Sequence, residues 1–180
     1  MRVLIDTCVL YPTVMREMVL GVARAGGFIP LWSPRILEEW ARAARKLGPD
    51  GEAQARAEIA LTQAAFPKAS VDNIPAGLHA RLWLPDEHDI HVLAAAVHCS
   101  ADVIMTLNAK DFPRGILAEE GLQRIDPDTF LQNRWLENAD EVEAVGAHVL
   151  QEARRLSGKD WHMRPLLKKA RLPRLAKALG

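Results

Sequence analysis

Five acidic residues, at four places in this 180-residue chain, sit where their chemistry could count. Asp6 ends the apolar run "VLID". Glu38 and Glu39 stand side by side in "SPRILEEWARA". Asp89 opens "DIHVLAAAVHC", and Asp111 follows Asn108 in "TLNAKD". Carboxylates gathered in one place repel, and at neutral pH they need cations nearby. Oxygen-only ligands favour hard divalent ions, Mg²⁺ or Mn²⁺, over zinc. A site of this kind holds one or two ions that activate water and neutralise charge building on a phosphodiester. Two ions about 3.5–4 Å apart grip the attacking and leaving oxygens of an in-line displacement. No Ser-His-Asp arrangement, P-loop or dinucleotide glycine fingerprint offers another mechanism.

These acids need a scaffold that brings them together. "RVLID" reads as a short buried strand. "YPTVMREMVLGVARAGG" reads as a helix with Pro12 in its first turn and Gly26-Gly27 as its stop. "FIPLW" is a second strand. "SPRILEEWARAARKLG" is a helix with Ser33 as N-cap, Pro34 at the first position and Gly48 as terminator. Residues 51–66 form an Ala-rich amphipathic helix, and "HARLWLP" alternates like a strand. A helix starts near Asp89, "DVIMTLN" and "LQRID" are strands, and "PDTFLQNRWL" opens a helix. Residues 138–157 form another, broken at Ser157-Gly158, and the tail forms short basic helices. The alternation implies an α/β fold, a parallel sheet with helices on both faces. Ligands in such sheets gather at the carboxyl ends of the strands. Taken singly, each acid has an ordinary explanation as a cap, a turn former or a solvated helix face. Their placement at one end of one sheet argues for a site.

Hydrophobic residues make up 49% of the chain, as in globular proteins. No apolar run approaches the ~20 residues of a membrane span, and no signal peptide is evident. Two cysteines form no disulfide framework, so a cytoplasmic location is expected. Cys8 and Cys99 read as small buried residues, and Trp32, Trp40 and Trp83 as core. His88, His91 and His98 have no cysteine pair to complete a zinc site, and a half-buried histidine at a polar helix start is expected there. "DTCVL" is similar to the haloacid-dehalogenase motif, but Cys8 stands where that motif needs a second Asp. Net charge is zero, yet residues 1–150 carry −7 and residues 151–180 carry +7.

"VLIDTCVLYP", "SPRILEEWARA", "LPDEHDIHVLAAAVHCSADVIMTLNAKDFP" and "LQRIDPDTFL" resemble, in that order, the blocks of PIN-domain nucleases, and most closely VapC-type toxins of bacterial toxin–antitoxin pairs. The resemblance covers residues 1–134 and implies a PIN-like fold. It implies that Asp6, Glu39, Asp89 and Asp111 are the catalytic, metal-binding acids. Glu39 matches because it stands six residues after Ser33; Glu38 is its adjacent competitor. Thr7, Thr106 and Asn108 match supporting positions. The implied activity is a Mg²⁺- or Mn²⁺-dependent endoribonuclease that uses water as nucleophile and leaves a 5′-phosphate and a 3′-hydroxyl. For the toxins the implied substrate is tRNA or rRNA. The implied partners are a second copy of the chain and a cognate antitoxin whose peptide blocks the acidic site. The alternatives are a housekeeping RNA-processing or DNA-cutting PIN enzyme and a PIN-like binding module without catalysis; no missing acid favours the last.

The small toxins commonly stop near "DPDTFL", whereas this chain continues for about 45 residues. The expected organisation is a nuclease domain over 1–134 and a helical basic extension over 135–180. An acidic site repels RNA and needs basic surroundings. Arg154, Arg155, Lys168, Lys169, Arg171, Arg174 and Lys177 are the candidates to grip phosphates; the extension could instead receive an antitoxin or join a dimer.

Overall fold

In the computed structural model, which describes all 180 residues, the first apolar run forms β1 (Arg2–Ile5). A short helix, α1 (Thr7–Leu10), follows at once, and α2 (Thr13–Arg24) starts after Pro12. Then come β2 (Ile29–Leu31), α3 (Pro34–Ala43), α4 (Gly51–Ala65) and α5 (Ala76–Arg81). Helix α6 (Ile90–His98) feeds β3 (Val103–Met105), and α7 (Arg114–Glu119) feeds β4 (Gln123–Ile125). The chain finishes with α8 (Pro127–Glu137), α9 (Ala139–Ser157), α10 (Met163–Lys169) and α11 (Pro173–Leu179).

The strand order is β2-β1-β3-β4. β1 pairs in parallel with β2 on one side and β3 on the other, so Leu4 sits between Leu31 and Ile104. Successive side chains of a strand point to opposite faces. Val3, Leu4 and Ile5 are all buried, as are Val103, Ile104 and Met105, so both faces of the central strands are covered. This is the α/β architecture expected from the alternating pattern. Parallel pairing also brings the carboxyl ends of β1 and β3 side by side: the Asp6 amide donates to the Met105 carbonyl at 3.0 Å.

Local signals explain several boundaries. The Ser33 hydroxyl accepts from the Ile36 amide at 3.3 Å, with Pro34 in the first turn of α3. Gly158 ends α9 in the left-handed region at φ 64°, a conformation that favours glycine. One expectation fails. "HARLWLP" does not form a strand: its first part belongs to α5, and Leu82 is extended without a strand partner. Its alternation is real over three residues, with Leu82 and Leu84 buried, but it puts Trp83 outward. Trp83 is therefore not a core residue, while Trp32 and Trp40 are buried as expected.

The chain divides into two compact units, Met1–Tyr11 with Ile29–Arg124, and Pro12–Phe28 with Ile125–Gly180. The first contains the sheet, with β4 running into the second at its last residue, and the helices α1 and α3–α7. The second is helical. Its core includes an edge-to-face contact of Phe28 and Phe130 at 5.0 Å, with Val142, Leu167 and Leu175 fully buried. Gly21 lets α2 approach α9 closely, because a Cβ there would run into Val145. The boundary expected after residue 134 falls inside α8.

Asp128 is 6% exposed, yet its carboxylate is satisfied. It accepts from the Arg174 amide at 2.9 Å and the Leu175 amide at 3.0 Å, capping the start of α11 from a distant part of the chain. Asp128→Ala should cost about 1–3 kcal/mol of stability, because it orphans helix-terminal donors. Urea denaturation reads the loss and amide exchange localises it to α11; unchanged exchange there would contradict the capping role.

Candidate active site

Asp6 is the first polar residue after β1 and is 7% exposed. Thr106, the first residue after β3, donates its hydroxyl to Asp6 Oδ2 at 2.7 Å. The Cys8 thiol lies 3.1 Å from the same oxygen. Both bonds go to Oδ2, which leaves Oδ1 open to another partner. The backbone holds these donors: the Asn108 amide donates to Thr106 Oγ1 at 3.0 Å, and the Leu107 amide to Cys8 Sγ at 3.2 Å. Burial, and then the charge of Asp6, pushes the Cys8 thiol up to about 12. Cys8 is thus a proton donor to Asp6 and a poor nucleophile.

Asp89 stands at the N-cap of α6, Asp111 in the loop after β3, and Asp86 in the turn before Asp89. One carboxylate oxygen from each lies within 4.8 Å of the others. The Asn108 side-chain amide donates to Asp111 Oδ2 at 2.6 Å and to Asp89 Oδ2 at 3.4 Å, tying two of the acids to one neutral group. Burial, followed by the charges of Asp6, Asp86 and Asp111, raises the Asp89 carboxyl to about 6 against the opposing influence of His91. The donors are oxygen atoms and the local charge is excess negative, which suits a hard divalent cation. Asp86 was not among the residues singled out from the sequence. Its signal is the spacing in "LPDEHD", three residues before Asp89, masked by its second task of capping the His88 amide at 2.9 Å.

The two adjacent glutamates part company. Glu39 Oε2 accepts from the Thr7 hydroxyl at 3.2 Å. Its Oε1 lies 2.9 Å from His91 Nε2 and 3.3 Å from Arg35 Nε. Burial works to raise its pKa, but His91, then Arg35 and Thr7, outweigh that and hold it below the usual range. Glu38 pairs with Arg56 and Arg42 at 2.9 Å each, and these hydrogen bonds hold it down at about 2. Arg56 also bridges to Glu52, which meets Arg45 in the same surface network. Glu39 reaches the site through Thr7, beside Asp6 in the chain, and stands outside the Asp86–Asp89–Asp111 group. His91 is buried rather than half-buried, with Nδ1 unpartnered.

The basic candidates lie in the helical unit. Arg154 donates to the Trp161 carbonyl at 2.7 Å, Arg155 pairs with Glu152 at 2.7 Å, and Lys169 lies 5.2 Å above the Trp161 ring. Lys168, Arg171, Arg174 and Lys177 are exposed, with side chains outside any ion pair.

A family model of the PIN domain matches residues 2–110. The chain belongs to the PIN-domain family, whose members are generally metal-dependent nucleases that act on nucleic acids and typically use Mg²⁺ or Mn²⁺. The match includes Asp6, Glu39, Asp89, Thr106 and Asn108 and ends one residue before Asp111. No curated protein and no solved structure matches the chain. No helix is long and apolar enough to cross a membrane.

The raised pKa of Asp89 has a thermodynamic sign. The folded state holds this proton more tightly than the unfolded chain, so the metal-free fold loses stability as pH rises from the ordinary carboxyl range to about 6, and the penalty is complete above that. At pH 8 without divalent ions, Asp89→Asn should stabilise the protein by roughly 1 kcal/mol, allowing for solvent screening at this half-buried position. The gain should vanish below about pH 4, where the carboxyl is protonated in both states. Calorimetric melts should also show Mn²⁺ raising the parent's Tm at pH 8 more than the variant's; equal shifts would contradict metal binding by Asp89.

Proposed function

We propose that the protein is a Mg²⁺- or Mn²⁺-dependent endoribonuclease, the toxin of a type II toxin–antitoxin pair, that cleaves tRNA or rRNA. The observation that carries the nuclease reading is the crowding of carboxylates beside the carboxyl ends of β1 and β3. In this reading Asp6, Asp89, Asp111 and Glu39 hold the ion. When bound, the ion activates water and offsets charge developing on the scissile phosphate. Thr106 fixes one oxygen of Asp6, Asn108 orients Asp89 and Asp111, and Thr7 holds Glu39. The choice of Glu39 over Glu38 is supported by the bonds of Glu38 to Arg42 and Arg56, which engage its carboxylate elsewhere. The toxin assignment, with its cytoplasmic location, homodimer and antitoxin partner, rests on the likeness of the four sequence blocks to VapC-type proteins. The basic residues of 135–180 are proposed to grip RNA phosphates, which the acidic centre repels.

Three experiments test this reading. Purified protein with total RNA and Mn²⁺ should cleave it, and Asp6→Asn and Asp89→Asn should each lower the rate at least about 100-fold, as loss of a metal-binding side chain implies. Variants that cut as well as the parent would contradict those roles. Induction in bacteria should arrest growth, and a small protein encoded beside the gene should relieve the arrest; harmless expression of an active nuclease would favour a processing enzyme. Replacing Lys168, Lys169 and Arg171 by Ala should lower the salt slope of RNA binding by about 2, at ~0.7 per phosphate contact on a single strand. An unchanged slope would assign the tail to protein contacts.

A further inference from the structure

Trp83 is 64% exposed, while its neighbours Leu82 and Leu84 are buried. Two anchored leucines and the following Pro85 hold the backbone, so the indole stands out from a fixed segment. Leaving this much aromatic surface in water forgoes a large burial gain. The indole lines a cleft of about 680 Å³ together with Leu84, Pro85, Asp86, His88 and Asp111. Two of those residues, Asp86 and Asp111, belong to the acidic cluster itself. The cleft is therefore continuous with the candidate metal centre.

We propose that this cleft is a subsite for one unpaired nucleobase beside the scissile phosphate, with Trp83 as its stacking face. The inference rests on the RNA-cleaving reading and adds a substrate requirement to it. A base has an apolar face and a polar edge, and the cleft offers both counterparts: the indole for the face, and the exposed His88 with the chain around it for the edge. An aromatic residue also suits this place electrostatically. A lysine or arginine here would pair with Asp86 or Asp111 and compete with the cation, whereas an indole adds affinity without charge. A base inside a duplex is already stacked and cannot offer its face, so the subsite selects single-stranded segments such as loops. The polar groups of the wall, Asp86, Glu87, His88 and Asp111, favour an occupant with a polar edge over an apolar protein segment.

The test compares the full-length parent, Trp83→Ala and Trp83→Phe on an RNA hairpin with an unpaired loop and on a fully paired duplex, in Mn²⁺. Mn²⁺ binding is measured separately by calorimetry. Trp83→Ala should lose roughly 5- to 150-fold in kcat/KM on the hairpin, the range that stacking one base is worth, with the loss mainly in KM. Trp83→Phe should keep most of the activity, both variants should bind Mn²⁺ like the parent, and the duplex should be cut poorly by all three. If the parent cleaves the loop and Trp83→Ala cleaves it equally well, the subsite is refuted while the nuclease reading stands. If Trp83→Ala cuts normally but loses self-association or antitoxin binding, Trp83 belongs to a protein interface and the proposal is overturned. If the parent binds Mn²⁺ but cuts neither RNA, the RNA-cleaving reading fails and the subsite falls with it.

Discussion

Like charge confined in a small volume is the constraint around which this molecule is arranged. Parallel pairing of β1 and β3 puts their carboxyl ends together, so the first polar residue after each strand meets the other. One of those residues is Asp6, buried because the strand before it is buried. Asp86, Asp89 and Asp111 then crowd the same region, and burial, reinforced by the neighbouring charges, lifts the Asp89 carboxyl to about 6. A sequence selected for stability alone would not keep ionisable oxygens in such company. Functional sites commonly carry this kind of local conflict, which the rest of the fold offsets.

The neighbouring donors limit that conflict without removing it. Thr106 and Cys8 bond one oxygen of Asp6, and Asn108 bridges Asp89 and Asp111, yet all three groups are neutral. They orient the acids and leave the excess charge in place. Glu39 differs because His91 and Arg35 face it and favour its charged form. The site therefore contains carboxylates of two kinds, one strained toward protonation and one held ionised. Glu38, one residue away on the same helix, falls into an ion-pair network with Arg42, Arg56, Glu52 and Arg45 that serves the surface of α3 and α4.

Much of this was legible in the sequence because it rests on local chemistry. The apolar runs "RVLI" and "DVIM" announce buried strands, Ser33-Pro34 announces a helix start, and Ser157-Gly158 a helix end. The meeting of Asp89 with Asp111 follows from the α6–β3–loop order once the strand end is known. What was hidden depends on contacts between remote residues. The approach of Cys8 to Asp6 and Thr106 requires the β1–β3 pairing, and the cap that Asp128 places on α11 spans two helices far apart in the chain. Asp86 was obscured because an acid in "PDEHD" reads as an ordinary turn residue. Trp83 misled in another way: alternating burial marks an extended chain whether or not it pairs, and tryptophan's preference for the interior is an average that a cleft wall can override.

The central claim is that these carboxylates share a divalent cation. X-ray diffraction at the manganese absorption edge, on crystals of the parent grown with Mn²⁺, tests it most directly. An anomalous peak within coordinating distance of the Asp6, Asp89 and Asp111 oxygens is the result expected. Saturating Mn²⁺ with no peak among them, or with peaks only elsewhere on the surface, would contradict it.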